Sequence, residues 1–286
     1  MNVKESRTFG FLIITLVYIF AAAVGVAIHL LLPLPFWLSL LIADIAATVA
    51  TFIFSLIFSN ASVYDPYWSV QPIVILVGYA IAYPPTVSAI LPLIAVCIWG
   101  VRLTANWAYT FHGLAWQDWR YTMLKEKTGA FYPFVNFLGI HLVPTLVVYL
   151  CTLPAAFAFY YAPAWNAGSI VFYIVSLLAV LLQGTADFQM HAFRKRGGGG
   201  FIRNGLWIYS RHPNYLGEIL MWWGVGLAAV CVMPTYWWLL AGAVANTCLF
   251  LFVSIPLADG RQSRKEGFAE YKKQTRMLLP VYKKQG

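Results

Sequence analysis

The chain has 286 residues, of which 61% are hydrophobic and only 10% are charged, whereas charged residues make up about a quarter of a soluble domain. Its net charge is +9, but most of its 19 Lys and Arg lie between apolar runs, which is typical of membrane topology and not of a nucleic-acid-binding stripe. Composition therefore excludes a soluble domain and a nucleic-acid-binding protein, and the absence of alternating strand patterns predicts an all-α, polytopic membrane bundle.

Eight apolar runs follow one another along the chain. A helix needs about 20 residues to cross a hydrocarbon core of about 30 Å. The third run is short and begins with Gln71 and Pro72, so taken alone it also fits a re-entrant segment. The sequence predicts about eight transmembrane helices, or seven and a short one. The runs cover roughly 9–32, 36–58, 70–84, 86–109, 132–160, 166–193, 213–234 and 235–257.

The basic residues indicate the orientation of these spans. With eight spans, the basic residues near both termini, in the 110–131 loop and in the 194–211 loop all lie on one side of the membrane. The opposite connections, near 33–35, 84–86, 161–165 and 233–236, contain no Lys or Arg. Because Lys and Arg accumulate in cytoplasmic loops, we expect both termini to be cytoplasmic.

Polar residues are concentrated in the stretch 204–218, NGLWIYSRHPNYLGE, between the sixth and seventh runs. Pro213 suits the first position of a helix, and a helix N-terminus flanked by Arg203 and Arg211 attracts phosphate groups. Asn214 and Glu218 are four residues apart and therefore share one face of that helix. The stretch is expected to form one side of a cofactor site, although an Arg-His anchor at the membrane surface with an Asn helix cap would have the same sequence.

Gly-Leu-Trp followed by Ser-Arg-His-Pro-Asn-Tyr-Leu-Gly-Glu resembles the C-terminal signature of the membrane steroid 5α-reductase superfamily, in particular its bacterial DUF1295 branch. The resemblance is good after about residue 180 and weak before it. It implies an NADPH-dependent enzyme of a bacterial inner membrane. A related Arg-His-Pro-x-Tyr pattern occurs in isoprenylcysteine carboxyl methyltransferases, so the motif indicates a membrane-embedded cofactor site more firmly than it indicates the cofactor.

The resemblance also implies which residues bind NADPH. The amide, acid and base of the reductases match Gln183, Asp187 and Arg194. Counting back ten residues from Tyr271 places Arg261 where the steroid reductases have a His in the pocket. Acids and amides would lie near the ribose and nicotinamide, and arginines near the phosphates. The implied cofactor residues are Gln183, Asp187, Arg194, Arg203, Arg211, His212, Asn214, Tyr215, Glu218 and Arg261.

The substrate side matches less well. Steroid reductases polarise the substrate ketone with a Glu on an early helix and a Tyr on the next, but the first five runs contain no Glu. The nearest equivalent is Tyr64-Asp65-Pro66-Tyr67-Trp68, which resembles the Asp-x-x-Trp of DUF1295 proteins. Tyr64, Asp65 and Tyr67 are therefore the expected catalytic residues, with Asp65 as general acid or, alternatively, an ordinary turn residue. Asp44 is interpreted as a structural polar residue away from this site.

The complete prediction is a reductase of an activated carbon-carbon double bond in a steroid-like, isoprenoid or other lipid. Residues 1–160 would form the substrate half, and residues 161–286 the cofactor half with its basic tail. One alternative is an S-adenosylmethionine-dependent methyltransferase, which would have no need of so many arginines. The other is a lipid-binding or transport protein, in which polar groups would line a path across the membrane. No metal site is expected.

Overall fold

The computed structural model describes residues 3–84 and 86–280, and this part of the chain forms helices and short turns without β-strands. The terminal residues 1–2 and 281–286, whose cytoplasmic position was expected, lie outside the described residues, as does Pro85 in the second predicted outer loop. The helices are α1 (Arg7–Leu31), α2 (Phe36–Phe58), α3 (Tyr67–Ala82), α4 (Val87–Thr110), α5 (Trp119–Thr128), α6 (Tyr132–Val135), α7 (Val143–Tyr161), α8 (Ala167–Lys195), α9 (Pro213–Val232), α10 (Ala241–Leu249), α11 (Ile255–Gln262) and α12 (Phe268–Gln274).

Within the described residues, seven helical stretches are long and apolar enough to cross a membrane. Two of these are composite and run over Trp119–Tyr161 and Pro234–Gln262. The short third run of the sequence is α3, whose 16 residues extend only about 24 Å at 1.5 Å per residue. The predicted all-α membrane bundle is confirmed, with seven candidate spans and a short third helix in the described residues instead of eight full spans.

Both composite stretches contain a turn of π-helix. One covers Asn136–Leu142 between α6 and α7, and the other covers Phe250–Ser254 between α10 and α11. Such turns insert an extra residue into the helix and are frequent at functional sites. The first of them positions the buried side chains of Asn136 and His141.

The chain forms two compact units. The first unit consists of residues 1–84 and 99–156, and the second unit consists of residues 85–98 and 157–286. The predicted division near residue 160 into a substrate half and a cofactor half concerns function and stays a prediction.

In the first unit, the connection between α2 and α3 is anchored by its own polar residues. Asn60 donates hydrogen bonds from Nδ2 to the carbonyl oxygens of Leu114 and Trp116, both at 2.8 Å. Its Oδ1 accepts from the backbone N–H of Ser62 at 2.8 Å and caps the 3-10 turn Ala61–Tyr64. These bonds fix the backbone immediately before Asp65.

In the second unit, α8 and α9 pack against each other in antiparallel orientation with their backbones in contact. Two glycines of α9 make this approach possible. A Cβ at Gly217 would lie 2.7 Å from the carbonyl oxygen of Ala179, and one at Gly224 would lie 2.8 Å from that of Phe172. Because no larger residue fits there, the sequence of α9 determines how closely its polar side chains approach those of α8.

Candidate functional site

Two acid and amide pairs face each other across α8 and α9. Gln183 Nε2 donates to Glu218 Oε2 at 3.0 Å, and Asn214 Nδ2 donates to Asp187 Oδ1 at 3.4 Å. Gln183 and Asp187 are four residues apart on α8, and Asn214 and Glu218 are four residues apart on α9. Antiparallel packing of the two helices therefore brings both pairs into register. The structure thus joins four residues that the sequence assigned to a cofactor site.

The inner pair is the more buried of the two. Gln183 is 1% exposed and Glu218 is 5% exposed. The second carboxylate oxygen of Glu218 accepts a hydrogen bond from Trp222 Nε1 at 2.9 Å. Hydrogen bonds to both oxygens offset the cost of burying this acid and hold it in one orientation.

The outer pair is half-buried, and one acceptor atom of Asn214 is not used by it. Its Oδ1 is shielded from solvent and finds no hydrogen-bond partner within residues 3–84 and 86–280. Leaving such a group unpaired costs about 1–3 kcal/mol. A ligand that presents an N–H or O–H to Asn214 would remove this cost.

Next to these pairs, Arg211 and His212 are bound to an acid that the sequence analysis did not select. Asp259 accepts from Arg211 Nη2 at 3.0 Å and lies 3.0 Å from His212 Nε2. Arg211 also donates to the carbonyl oxygen of Thr275 at 2.7 Å. The guanidinium is buried and serves a contact within the protein, so its predicted position beside a phosphate stays a prediction.

The signal for Asp259 was present in the sequence, since an acid directly after an apolar run that ends near residue 257 needs a partner. Spacing along the chain did not identify Arg211 as that partner, because 48 residues separate the two. Only the fold brings them together.

Helix α9 begins as the sequence predicted. Pro213 is its first residue and His212 its N-cap, which has no capping hydrogen bond from its side chain. The His212 ring instead stacks on Tyr215, with ring centroids 5.2 Å apart and an interplanar angle of 4°. Tyr215 also contacts the ring of Phe250 in the second π-helical turn. These contacts fix the corner before α9.

The other three predicted arginines, Arg194, Arg203 and Arg261, are exposed. The Arg203 guanidinium lies over the ring of Phe201, 4.7 Å from its centroid. Burial lowers the pKa of Lys265, and repulsion from Arg261 and Arg194 lowers this pKa further, which places these three cations near one another. Lys265 was not selected from the sequence, although it belongs to the basic tail. The second unit therefore has a cluster of cations accessible to an anion.

In the first unit, the three predicted catalytic residues do not form a single group. Tyr64 and Tyr67 are buried and their rings stack 5.2 Å apart. Asp65 is half-buried and accepts a hydrogen bond from Tyr121 Oη at 2.5 Å. Burial raises the pKa of Asp65 to about 6, and this effect outweighs the nearby Arg120 and the Tyr121 hydrogen bond, which both lower the pKa.

The acid that binds Tyr67 is Asp44 of α2. Tyr67 Oη donates to Asp44 Oδ1 at 2.9 Å, and Gln71 Nε2 donates to Asp44 Oδ2 at 2.7 Å. The expectation that Asp44 lies away from the predicted catalytic residues is wrong, because the short helix α3 places Tyr67 and Gln71, which are four residues apart, on the face toward α2. Asp44 is therefore a buried acid of an early helix that is hydrogen-bonded to one of the predicted catalytic tyrosines.

Tyr64 belongs to a second set of buried hydrogen bonds. Its Oη lies 2.8 Å from Thr145 Oγ1, which in turn lies 2.9 Å from Thr48 Oγ1. The ring of His141 contacts the ring of Tyr64 at 4.6 Å. His141 Nδ1 lies 3.0 Å from the carbonyl oxygen of Asn136 and therefore carries the proton, which leaves Nε2 as an acceptor.

Comparison with known proteins gives a family match. The model of the family described as "Protein of unknown function (DUF1295)" matches residues 51–275. This range includes every residue predicted for the site and excludes Asp44. No curated protein matches the chain, and no solved structure matches it.

Proposed function

This chain belongs to the DUF1295 family, a branch of the membrane steroid 5α-reductase superfamily, and from that premise we propose that it is an NADPH-dependent reductase. Its substrate would be an apolar lipid, steroid-like or isoprenoid, with a double bond activated by a carbonyl group. NADPH supplies the hydride when it is bound. The protein supplies the binding groups, a dry environment and a proton donor.

The observation that carries this proposal is the register of the two acid and amide pairs on α8 and α9. Polar groups on the facing sides of two apolar helices are costly and usually functional. Asn214 retains an unpaired acceptor, which suits a carboxamide N–H or a ribose hydroxyl. Gln183, Asp187, Asn214 and Glu218 would therefore hold the uncharged parts of the cofactor.

The phosphates of NADPH would be bound by the exposed cations. Arg194 and Arg261 lie close enough to Lys265 to lower its pKa, and a pyrophosphate or a 2′-phosphate beside these cations would offset the repulsion. Arg203 would be a further ligand. Arg211 and His212 are assigned a positioning role, because both contact Asp259, which ties the start of α9 to α11, and Tyr215 keeps the His212 ring in place.

On the substrate side, Tyr67 is the proposed proton donor to the carbonyl oxygen, and Asp44 orients its hydroxyl. This acid on α2 and tyrosine on α3 are similar to the Glu and Tyr of the steroid reductases. Tyr64 would pack beside Tyr67 and orient the substrate. Asp65 is a second candidate for the acid, because its pKa of about 6 keeps part of it protonated near neutral pH.

The same proposal implies a location and an orientation for the protein. The protein would lie in a bacterial inner membrane with both termini in the cytoplasm, where NADPH is available. The lipid would enter from the bilayer. The methyltransferase alternative receives less support, because S-adenosylmethionine has no phosphate for the cations of the second unit.

Native mass spectrometry of the purified protein tests the proposal directly. A bound species with the mass of NADPH or NADP⁺ is the expected result. Calorimetric titrations with NADPH, NADH and S-adenosylmethionine would then rank the three ligands. Binding of S-adenosylmethionine without binding of either dinucleotide would reject the reductase.

A further inference from the structure

A cavity of about 140 Å³ lies within the first unit, and none of the residues predicted for the site lines it. Most of its surface is apolar, and its polar lining residues include Ser59, Gln117, Lys125, Tyr132 and Asn136. Pockets that hold drug-sized ligands have about 300–1,000 Å³. This cavity therefore suits a small polar group and not a whole lipid.

The cavity has an unpaired acceptor. Asn136 is 2% exposed, and its Oδ1 has no hydrogen-bond partner in the described part of the chain. The orientation of its amide is determined, because Nδ2 donates to Ser55 Oγ at 3.4 Å while Ser55 Oγ itself donates to the carbonyl oxygen of Phe52 at 2.8 Å. Asn136 Oδ1 can only accept hydrogen bonds, and it has no donor among these residues. A ligand hydroxyl or N–H would supply that donor.

The cavity also has donors. Tyr132 Oη is buried and likewise without a partner among residues 3–84 and 86–280. Lys125, in the last turn of α5, contributes an ammonium group. A hydroxyl and an ammonium together favour an anionic oxygen over a neutral one. Tyr132 begins α6 and Asn136, four residues later, begins the π-helical turn, so both present their side chains on one face.

We infer that this cavity binds a phosphorylated alcohol of the glycerol phosphate type. The phosphate would contact Lys125 and Tyr132, and an alcohol hydroxyl would donate to Asn136 Oδ1. Such a group is present in the head of an anionic phospholipid and also in soluble glycerol phosphate. The inference does not depend on the proposed reductase activity.

The test measures thermal unfolding of the full chain in neutral detergent with increasing phosphatidylglycerol, phosphatidylcholine or soluble glycerol 3-phosphate. Phosphatidylglycerol is expected to raise the melting temperature, and phosphatidylcholine, which lacks the hydroxyl and the net negative charge, is not. A shift with soluble glycerol 3-phosphate supports the site and shows that a free ligand reaches it. A shift with phosphatidylglycerol alone supports the site and identifies the lipid as the source.

Variants connect the shift to the cavity. Lys125→Gln and Tyr132→Phe are expected to weaken the apparent affinity at least about tenfold, as expected for loss of one charge-assisted hydrogen bond. Lys127→Gln is the matched control, because Lys127 is an exposed lysine of the same helix that does not line the cavity. Equal effects of Lys125→Gln and Lys127→Gln would overturn the inference, as would equal shifts with the two phospholipids.

Discussion

Tyr67 Oη donates a hydrogen bond of 2.9 Å to Asp44 Oδ1, and both side chains are buried. This bond joins α2 to the short helix α3, and Gln71 binds the other carboxylate oxygen. Asp65, only two residues before Tyr67, binds Tyr121 instead. The first unit therefore contains two separate acid and tyrosine pairs, and substitutions can distinguish their roles.

Tyr67→Phe and Asp65→Asn test which pair supplies the proton. Loss of a general acid lowers turnover about 10²-fold to 10⁴-fold. If Tyr67 is the donor, Tyr67→Phe will show this loss, and Asp65→Asn will remain near the wild-type rate. Single-turnover oxidation of bound NADPH with a lipid enone measures both rates. Unaltered turnover in both variants would return both pairs to a structural role.

The raised pKa of Asp65 predicts how the stability of the folded protein depends on pH. Its pKa in the folded protein is about 6, above the ordinary value of 3.8, so the folded state binds the proton more tightly than the unfolded state. The stabilising effect of protonation is present at low pH and is lost as the pH rises toward and through 6. Compared with Asp65→Asn, the wild type should therefore lose stability between pH 5 and 7.5. Melting temperatures at these two pH values, in the same detergent, give the comparison, and parallel pH profiles would contradict it.

Arg261 and Arg194 predict a salt-dependent affinity for NADPH. Arg261→Gln should weaken binding, and the loss should be larger at low salt than at high salt because exposed charges are screened. Lys273→Gln is the control, since Lys273 is also exposed but lies near Glu270, with Nζ and Oε2 3.9 Å apart. Calorimetric titration at two salt concentrations measures the effect. A loss of affinity that is the same for both variants would remove Arg261 from the cofactor site.

Substitution of Asp259 is expected to lower the free energy of unfolding by a large amount. Breaking a buried ion pair by removing one partner costs about 3–5 kcal/mol, because the remaining charge is buried without compensation. Asp259→Asn leaves Arg211 in this state, and the side chains are only 9% and 7% exposed. Glu270→Gln removes an exposed pair and should cost less than about 1 kcal/mol. Denaturant unfolding in detergent compares the two variants, and similar small losses would show that the Arg211 cation finds another partner.

The same Gly→Ala change is expected to have opposite effects on stability in α9 and in α11. Gly224→Ala places a Cβ 2.2 Å from Ser176 Oγ and 2.8 Å from a backbone carbonyl oxygen, so overpacking should cost about 1–3 kcal/mol. Gly260→Ala meets nothing within 4 Å and should stabilise α11 by up to about 1 kcal/mol. The same unfolding measurement checks both. If Gly224→Ala left the free energy of unfolding unchanged, α8 and α9 would be able to move apart without destabilising the protein.

Chain order and spacing predicted much of the candidate site in the second unit. Residues four apart, such as Gln183 with Asp187 and Asn214 with Glu218, were predicted to share one face of their helix and to lie at a similar depth. The structure shows that these two faces are in contact. The start of α9 at Pro213 was also predicted, because proline has a specific position at a helix N-terminus. The partner of Arg211 was missed, since it comes from a helix distant in sequence.

Local sequence patterns were enough to predict the structural class of this protein. Apolar runs of fixed length, the positions of glycine and proline, and the signature before α9 act locally, and they were sufficient for an all-α membrane bundle and its family. The pairing of each acid with its partner, in contrast, became known from the folded chain. Asp44 with Tyr67, Asp65 with Tyr121 and Asp259 with Arg211 are contacts between separate segments, and a buried charge selects among partners by distance and geometry that spacing along the chain does not contain.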